Sequence, residues 1–154
     1  MIQRIQTLYY ALATALMTIG IFLPVSRFIG DQGQVYLLHI WGIVEAGKES
    51  PPVLLSTISL LILFLVVLFL LLVSIFSFRK RMVQMRLSVF SMVLMIGSLV
   101  LFYFYRRQGM MHFNADAYFT LYAVLPIVSA ILTYLAFRGV KKDEELIRSY
   151  DRIR

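Results

Sequence analysis

Four stretches of the chain carry no Asp, Glu, Lys, Arg or His and stay apolar for about the twenty residues an α-helix needs to cross a ~30 Å hydrocarbon core: 5–26, 53–78, 87–105 and 117–137. Each is bracketed by charge, by Arg4 and Arg27, Glu49 and Arg79, Arg86 and Arg106, and Asp116 and Arg138. The pattern predicts an all-α membrane protein with four transmembrane helices. The first stretch reads as an uncleaved anchor. It is too long for the apolar part of a secretory signal, and its Ala-x-Ala patterns, Ala11 to Ala13 and Ala13 to Ala15, lie inside it.

The segments between the spans carry weaker periodicities. In the outer loop 27–52, the run from Gln34 to Val44 is too short to cross as a helix and is rich in β-branched and aromatic residues. With Gly30-Asp-Gln-Gly33 before it, it predicts a short extracytoplasmic β-hairpin that turns at Asp31 to Gly33. A two-stranded ribbon is marginal in water, so it is expected to lie on the headgroup layer, on the second outer loop (106–116) or on a partner, with Tyr36 and Trp41 as contact residues. Beyond Arg138, the tail 139–154 keeps helical spacing: Leu146, Tyr150 and Ile153 share a face, and Lys141 with Glu145 and Glu144 with Arg148 are i, i+4 pairs. A four-helix domain over 1–138 followed by an amphipathic cytoplasmic tail is expected, the tail lying on the inner leaflet, folding back on 79–86 or docking a partner.

Inside the spans, Ala11, Thr14, Ala15 and Thr18 fall on one face of the first helix, and Ser88, Ser91, Met95 and Ser98 make a stripe on the third. Between helices in lipid, close packing and hydrogen bonds replace the hydrophobic effect. Spans one and three are therefore expected to face protein, and much of the aliphatic second span, Leu60 to Val73, to face lipid. These hydroxyls are read as helix-to-helix contacts in preference to a polar substrate path. Pro126, ten residues into the fourth span, predicts a kink, because it has no N–H to give the carbonyl of Tyr122. Pro24, Pro51 and Pro52 mark span boundaries.

Composition agrees with the pattern and narrows the chemistry. The chain is 60% hydrophobic and 15% charged, too apolar for a soluble domain or a nucleic-acid-binding globule. Its net charge of +7 is distributed unevenly. Arg4, Arg79, Lys80, Arg81, Arg86, Arg138, Lys141, Lys142, Arg148, Arg152 and Arg154 fall on one side of the four spans, eleven against Arg27, Lys48, Arg106 and Arg107 on the other. The positive-inside rule puts the eleven, and both termini, in the cytoplasm, with Arg79, Lys80, Arg81 and Arg86 also meeting lipid headgroups. The absence of cysteine excludes disulfides, thiolate catalysis and thiolate-held metals. No ionisable residue stands in a span, which weighs against an ion-coupled transporter or a charge-lined channel. His39 and His112, one in each outer loop near Glu45 and Asp116, are the one conceivable metal or acid–base constellation, but nothing in their spacing requires a site.

The opening Met1-Ile-Gln-Arg-Ile-Gln-Thr-Leu-Tyr-Tyr10 and the closing Lys142-Asp-Glu-Glu-Leu-Ile-Arg-Ser-Tyr-Asp-Arg-Ile-Arg154, around four hydrophobic spans, resemble the small four-pass inner-membrane proteins of Bacteroidota grouped as domain of unknown function 4293. That resemblance implies a bacterial inner-membrane location and carries no reaction or catalytic residues. The expected function is that of a non-catalytic accessory or scaffolding subunit of a larger membrane complex, without cofactor or nucleic acid, in contact with lipids and other membrane proteins. The alternative is a small transport or lipid-handling protein acting as a homo-oligomer. An enzyme using the outer-loop histidines is the least supported.

Overall fold

A computed structural model describes residues 2–30, 33–47, 52–77 and 80–151, with side chains given between Ile5 and Leu146. In chain order the elements are α1 (Ile2–Phe22), β1 (Ser26–Gly30), β2 (Val35–Leu38), β3 (Gly42–Glu45), β4 (Leu55–Ser56), α2 (Ile58–Phe76), α3 (Arg81–Phe113), β5 (Ala115–Phe119), a 3-10 turn (Leu121–Val124) and α4 (Leu125–Asp151). All four helices are long and apolar enough to cross a membrane. They form a ring in which α1 and α3 each pack on both α2 and α4.

Each helix meets the core through one stripe at alternating steps of three and four, as a 3.6-residue period requires. The stripes are Gln6, Tyr10, Ala13 and Met17 on α1; Leu60, Phe64, Val67, Leu71 and Ser74 on α2; Gln84, Ser88, Ser91, Met95, Ser98 and Phe102 on α3; and Pro126, Ser129, Thr133, Ala136 and Val140 on α4. Large apolar side chains such as Phe69, Phe76, Phe90 and Val100 point outward instead. The smallest side chains collect between α1 and α4, where a Cβ added to Gly139 would sit 3.0 Å from the Gln6 side chain. In lipid, such close backbone approach is a principal source of helix association.

Three sequence expectations are corrected here. The face Ala11, Thr14, Ala15 and Thr18 is not the packing face of α1: Ala11, Ala15 and Thr18 are exposed and Thr14 half-buried. Their period fits a helical face, but Tyr10, Ala13 and Met17 fill the core better, and the Thr14 and Thr18 hydroxyls donate to carbonyls of their own helix, Tyr10 at 2.8 Å and Thr14 at 2.9 Å. Nor does α2 face outward more than its neighbours, since the same 28% of each apolar window is buried. Pro126 kinks nothing. The chain enters α4 at Leu125, so Pro126 stands in the first turn, where its missing N–H would have had no intrahelical partner.

The spans also begin and end differently at one end of the bundle, because a five-stranded sheet is built there. Its order is β4-β3-β2-β1-β5, with every pair antiparallel. The expected hairpin is present as β1–β2, and the strands on either side extend it. Residues 23–26 and 55–57, read as membrane span, leave the helix for this sheet, and 117–119 become part of β5. Conversely, the second outer loop is mostly helix: α3 runs to Phe113 and stops at Asn114, whose φ of 44° is the left-handed cap conformation. At the other end α4 continues through Gly139 without a break, so 139–151 is the last part of a membrane-length helix.

The sheet is locked to the bundle at two points. The tight β2–β3 turn drives Ile40 wholly into the helical core, and the buried Thr57 hydroxyl donates to the carbonyls of Ile40 (2.8 Å) and His39 (3.2 Å). On the other side, α3 lies against Phe28 and Ile43 with Gly109 at the contact, where an added Cβ would stand 2.7 Å from the Phe28 ring. Phe28 is fully buried and has no room to retreat. Gly109→Leu is therefore expected to cost about 1–3 kcal/mol by overpacking, read as a lowered unfolding midpoint in detergent, whereas Gly97→Leu, with open space around it, should be close to neutral.

Candidate functional site

The polar groups inside the bundle form interhelical links. Tyr10 on α1 reaches across the ring to Ser88 on α3, oxygen to oxygen 2.6 Å, and Ser88 donates to the carbonyl of Gln84 at 2.7 Å. With the serine proton so used, the phenol is the donor in the first contact. The Gln84 amide donates to the carbonyl of Ser74 on α2 at 3.0 Å, and Ser74 to Leu70 at 2.8 Å. Toward α4, the Ser129 hydroxyl points at the carbonyl of Ala13 (3.4 Å), Thr133 donates to Ser129 (2.8 Å), and Gln6 donates to the Asp143 carboxylate at 2.6 Å.

Ser88, Ser91 and Ser98 are all fully buried and donate to carbonyls of α3 itself. Hydroxyls that cross-link helices and satisfy backbone in this way fit a structural seam better than a polar path. Interhelical hydrogen bonds in membranes average about 0.6 kcal/mol. A Tyr10→Phe and Ser88→Ala double-mutant cycle, followed by reversible unfolding in mixed micelles, should return a coupling of that order.

At the sheet end, Tyr36 stacks on Phe113 with ring centres 4.4 Å apart and donates to Gln34 at 2.6 Å, so it is spent on docking the sheet to α3. Trp41 stacks on His39 at 5.2 Å and stays partly exposed. The two histidines have separate surroundings: His112 is exposed against Phe113, while His39 lies over Trp41 at the end of α1. Among the described residues no three His, Asp or Glu side chains gather as a metal site. Burial pushes the His39 imidazole below its usual range, against an opposing hydrogen bond to the backbone of Phe22, and its Nδ1 is buried without a partner.

A lowered folded-state pKa means that the unfolded chain binds the proton more readily, so stability is full above the unfolded value of about 6.5 and falls as pH drops through it. Acidification from pH 7.5 to 5 should lower the unfolding midpoint of the wild type more than that of His39→Phe, which keeps the stacking and loses the titration.

At the opposite end, Lys80 is exposed at the start of α3, Arg81 donates to the carbonyl of Asp143 (3.4 Å) and Arg86 is exposed. Arg79 lies outside the described residues. Lys141 and Glu145 form the expected pair at 3.8 Å, with both side chains largely exposed. Leu146 is exposed; the Tyr150 side chain and Ile153 lie outside the described part.

An apolar groove runs between α3 and the start of α4. Two depressions of about 450 and 360 Å³ share Leu99 and Ile127. The first runs past Met92, Met95, Pro126 and Ala130, and the second past Phe102, Thr120 and Ala123 to Phe119 of β5. It exists because Ala123 of the 3-10 turn and Pro126 and Ala130 of α4 face longer α3 side chains. Over Phe119 stands Arg106, its guanidinium carbon 4.6 Å from the ring centre, with Nη2 donating to the carbonyl of Ala117 at 2.7 Å. Arg106 Nε is buried without a partner.

The chain belongs to the family described as Domain of unknown function (DUF4293). That family's profile matches residues 2–153, nearly the whole chain. No curated protein matches it. Membership joins the two end motifs and the hydrophobic middle into one unit and assigns no chemistry. Within this family member, the residues that sequence reasoning passed over are Gln6, Tyr10 and Gln84, the α4 stripe Ser129, Thr133, Ala136 and Gly139, and Arg106. The α4 stripe was readable, since small residues recur there at i, i+4, i+7 and i+10. Arg106 was not, because only the position of β5 gives it a partner.

Proposed function

We propose that this DUF4293 protein is a non-catalytic accessory or scaffolding subunit of a larger complex in the bacterial inner membrane, with both termini cytoplasmic and the sheet outside. The observation that carries the reading is the outward face of the sheet. Across β2, β1 and β5, the rows Leu37–Arg27–Tyr118 and Val35–Ile29–Asp116 point away from the bundle. Four of those six residues are apolar, three aliphatic and one aromatic, and the other two are Arg27 and Asp116; Ile29 is 44% and Tyr118 57% exposed. A solvated antiparallel sheet ordinarily turns polar side chains outward, and an exposed face that is mostly apolar with a few charges has the composition of a protein contact. The outward small-residue face of α1, Ala11, Thr14, Ala15 and Thr18, offers close approach to a second helix inside the membrane.

Ile29→Asp and Tyr118→Asp should release partners that co-purify with the wild type in mild detergent while leaving the unfolding midpoint within about 0.5 kcal/mol, as exposed substitutions do. Native mass spectrometry that finds wild-type chain always alone would end the proposal. The orientation rests on the eleven-to-four basic bias. In this cysteine-free chain, Ala46→Cys and Gln108→Cys should react with a membrane-impermeant thiol reagent on intact spheroplasts, and Met82→Cys and Lys142→Cys only after lysis. The reverse pattern would invert the protein in the membrane.

A further inference from the structure

On α3 the residues that line the groove form one stripe, Met92, Met95, Leu99 and Phe102, and the next position on it, four residues after Phe102, is Arg106. The groove is thus apolar along its length and cationic at the end nearest the sheet, with Phe119 serving as its end wall and as the platform under the guanidinium. Of the five N–H donors an arginine carries, one is used, on the Ala117 carbonyl. Among the described residues no carboxylate lies within ion-pair distance of it. The guanidinium thus keeps N–H donors to give, beside an apolar slot in a membrane-length helix pair.

We propose that the α3–α4 groove is a phospholipid site, in which one acyl chain lies along Leu99, Ile127 and Ala130 and the phosphate is met by Arg106. The occupant follows from size and charge together. A partner helix ~10 Å across and ~30 Å long needs several times the space of two depressions of about 450 and 360 Å³, whereas these suit a flexible chain. Arginine also matches phosphate oxygens with paired N–H donors that a lysine lacks. The inference rests on the bundle lying in a membrane and not on any protein partner, so it stands or falls separately from the accessory role.

The test is native mass spectrometry of delipidated full-length protein titrated with dioleoyl phosphatidylglycerol, and in parallel with dioleoylglycerol, which has the chains without the phosphate. Wild type should bind one phosphatidylglycerol roughly tenfold more tightly than the diacylglycerol, the size of one charge-assisted hydrogen bond. Arg106→Gln should abolish that preference, Arg106→Lys should keep part of it, and Arg107→Gln, on the exposed neighbour, should leave it intact. Ala130→Phe, which fills the groove from α4, should remove binding of both lipids. The proposal is overturned by equal affinity of wild type for the two lipids, by an equal loss in Arg107→Gln, by undiminished binding to Ala130→Phe, or by a second copy of the chain occupying the groove. The two-lipid comparison on wild type needs no variant to fold.

Discussion

In a hydrocarbon solvent, no polar group can turn to water for a partner, and this constraint organises the molecule from the core outward. The bundle interior sets small and hydroxyl-bearing residues among large ones such as Phe64, Leu71, Met95 and Phe102, and it is the small and hydroxyl-bearing ones that give helices in lipid close approach and hydrogen bonds. Each buried hydroxyl accordingly has a carbonyl or another hydroxyl in reach: Ser88 takes Tyr10 and gives to Gln84, Ser74 gives to Leu70, and Thr133 gives to Ser129. Other large apolar side chains, Phe69, Phe76 and Phe90 among them, face outward, where lipid receives them at no cost.

The same constraint explains the sheet. Where α1 and α3 emerge, the backbone leaves the helical pattern and its N–H and C=O groups must pair again. Strands from two separate loops meet as β1 and β5 to supply those pairs. The cap is then pinned to the bundle by Ile40, by Thr57 and by the close contact at Gly109, so the sheet and the helices form one packed body. Arg106 completes the arrangement by giving an N–H to Ala117, a residue of the edge strand β5. An edge covered by a side chain is withheld from pairing with another strand.

What functional meaning the structure carries lies at surfaces. The seam within the bundle is largely satisfied by its own backbone, and the two histidines lie apart, His39 against Trp41 and His112 against Phe113. The apolar outward face of the sheet and the groove ending at Arg106 are the features with chemistry left over. The first is the surface proposed for a protein contact, and the second the one proposed for a lipid.

The number of spans, the basic asymmetry and the first hairpin were legible in the sequence alone, because they depend on properties local to a stretch of chain: a run of twenty uncharged residues has one economical solution in a bilayer, and two extended runs joined by a short glycine-bearing segment pair with each other. Which face of α1 turns inward was decided only by tertiary structure. Ala11, Thr14, Ala15 and Thr18 share a face as surely as Tyr10, Ala13 and Met17 do, and only the shapes of α2, α3 and α4 choose between them. Pro126 was misread as a kink for a related reason: residues 117–119 are as apolar as any helix, and it is their pairing with β1, ninety residues away in sequence, that makes them a strand and moves the start of the helix to the proline. Pairing between distant segments leaves no periodicity in either one. The sheet, the groove and the setting of Arg106 therefore belong to the fold and not to any stretch of the chain.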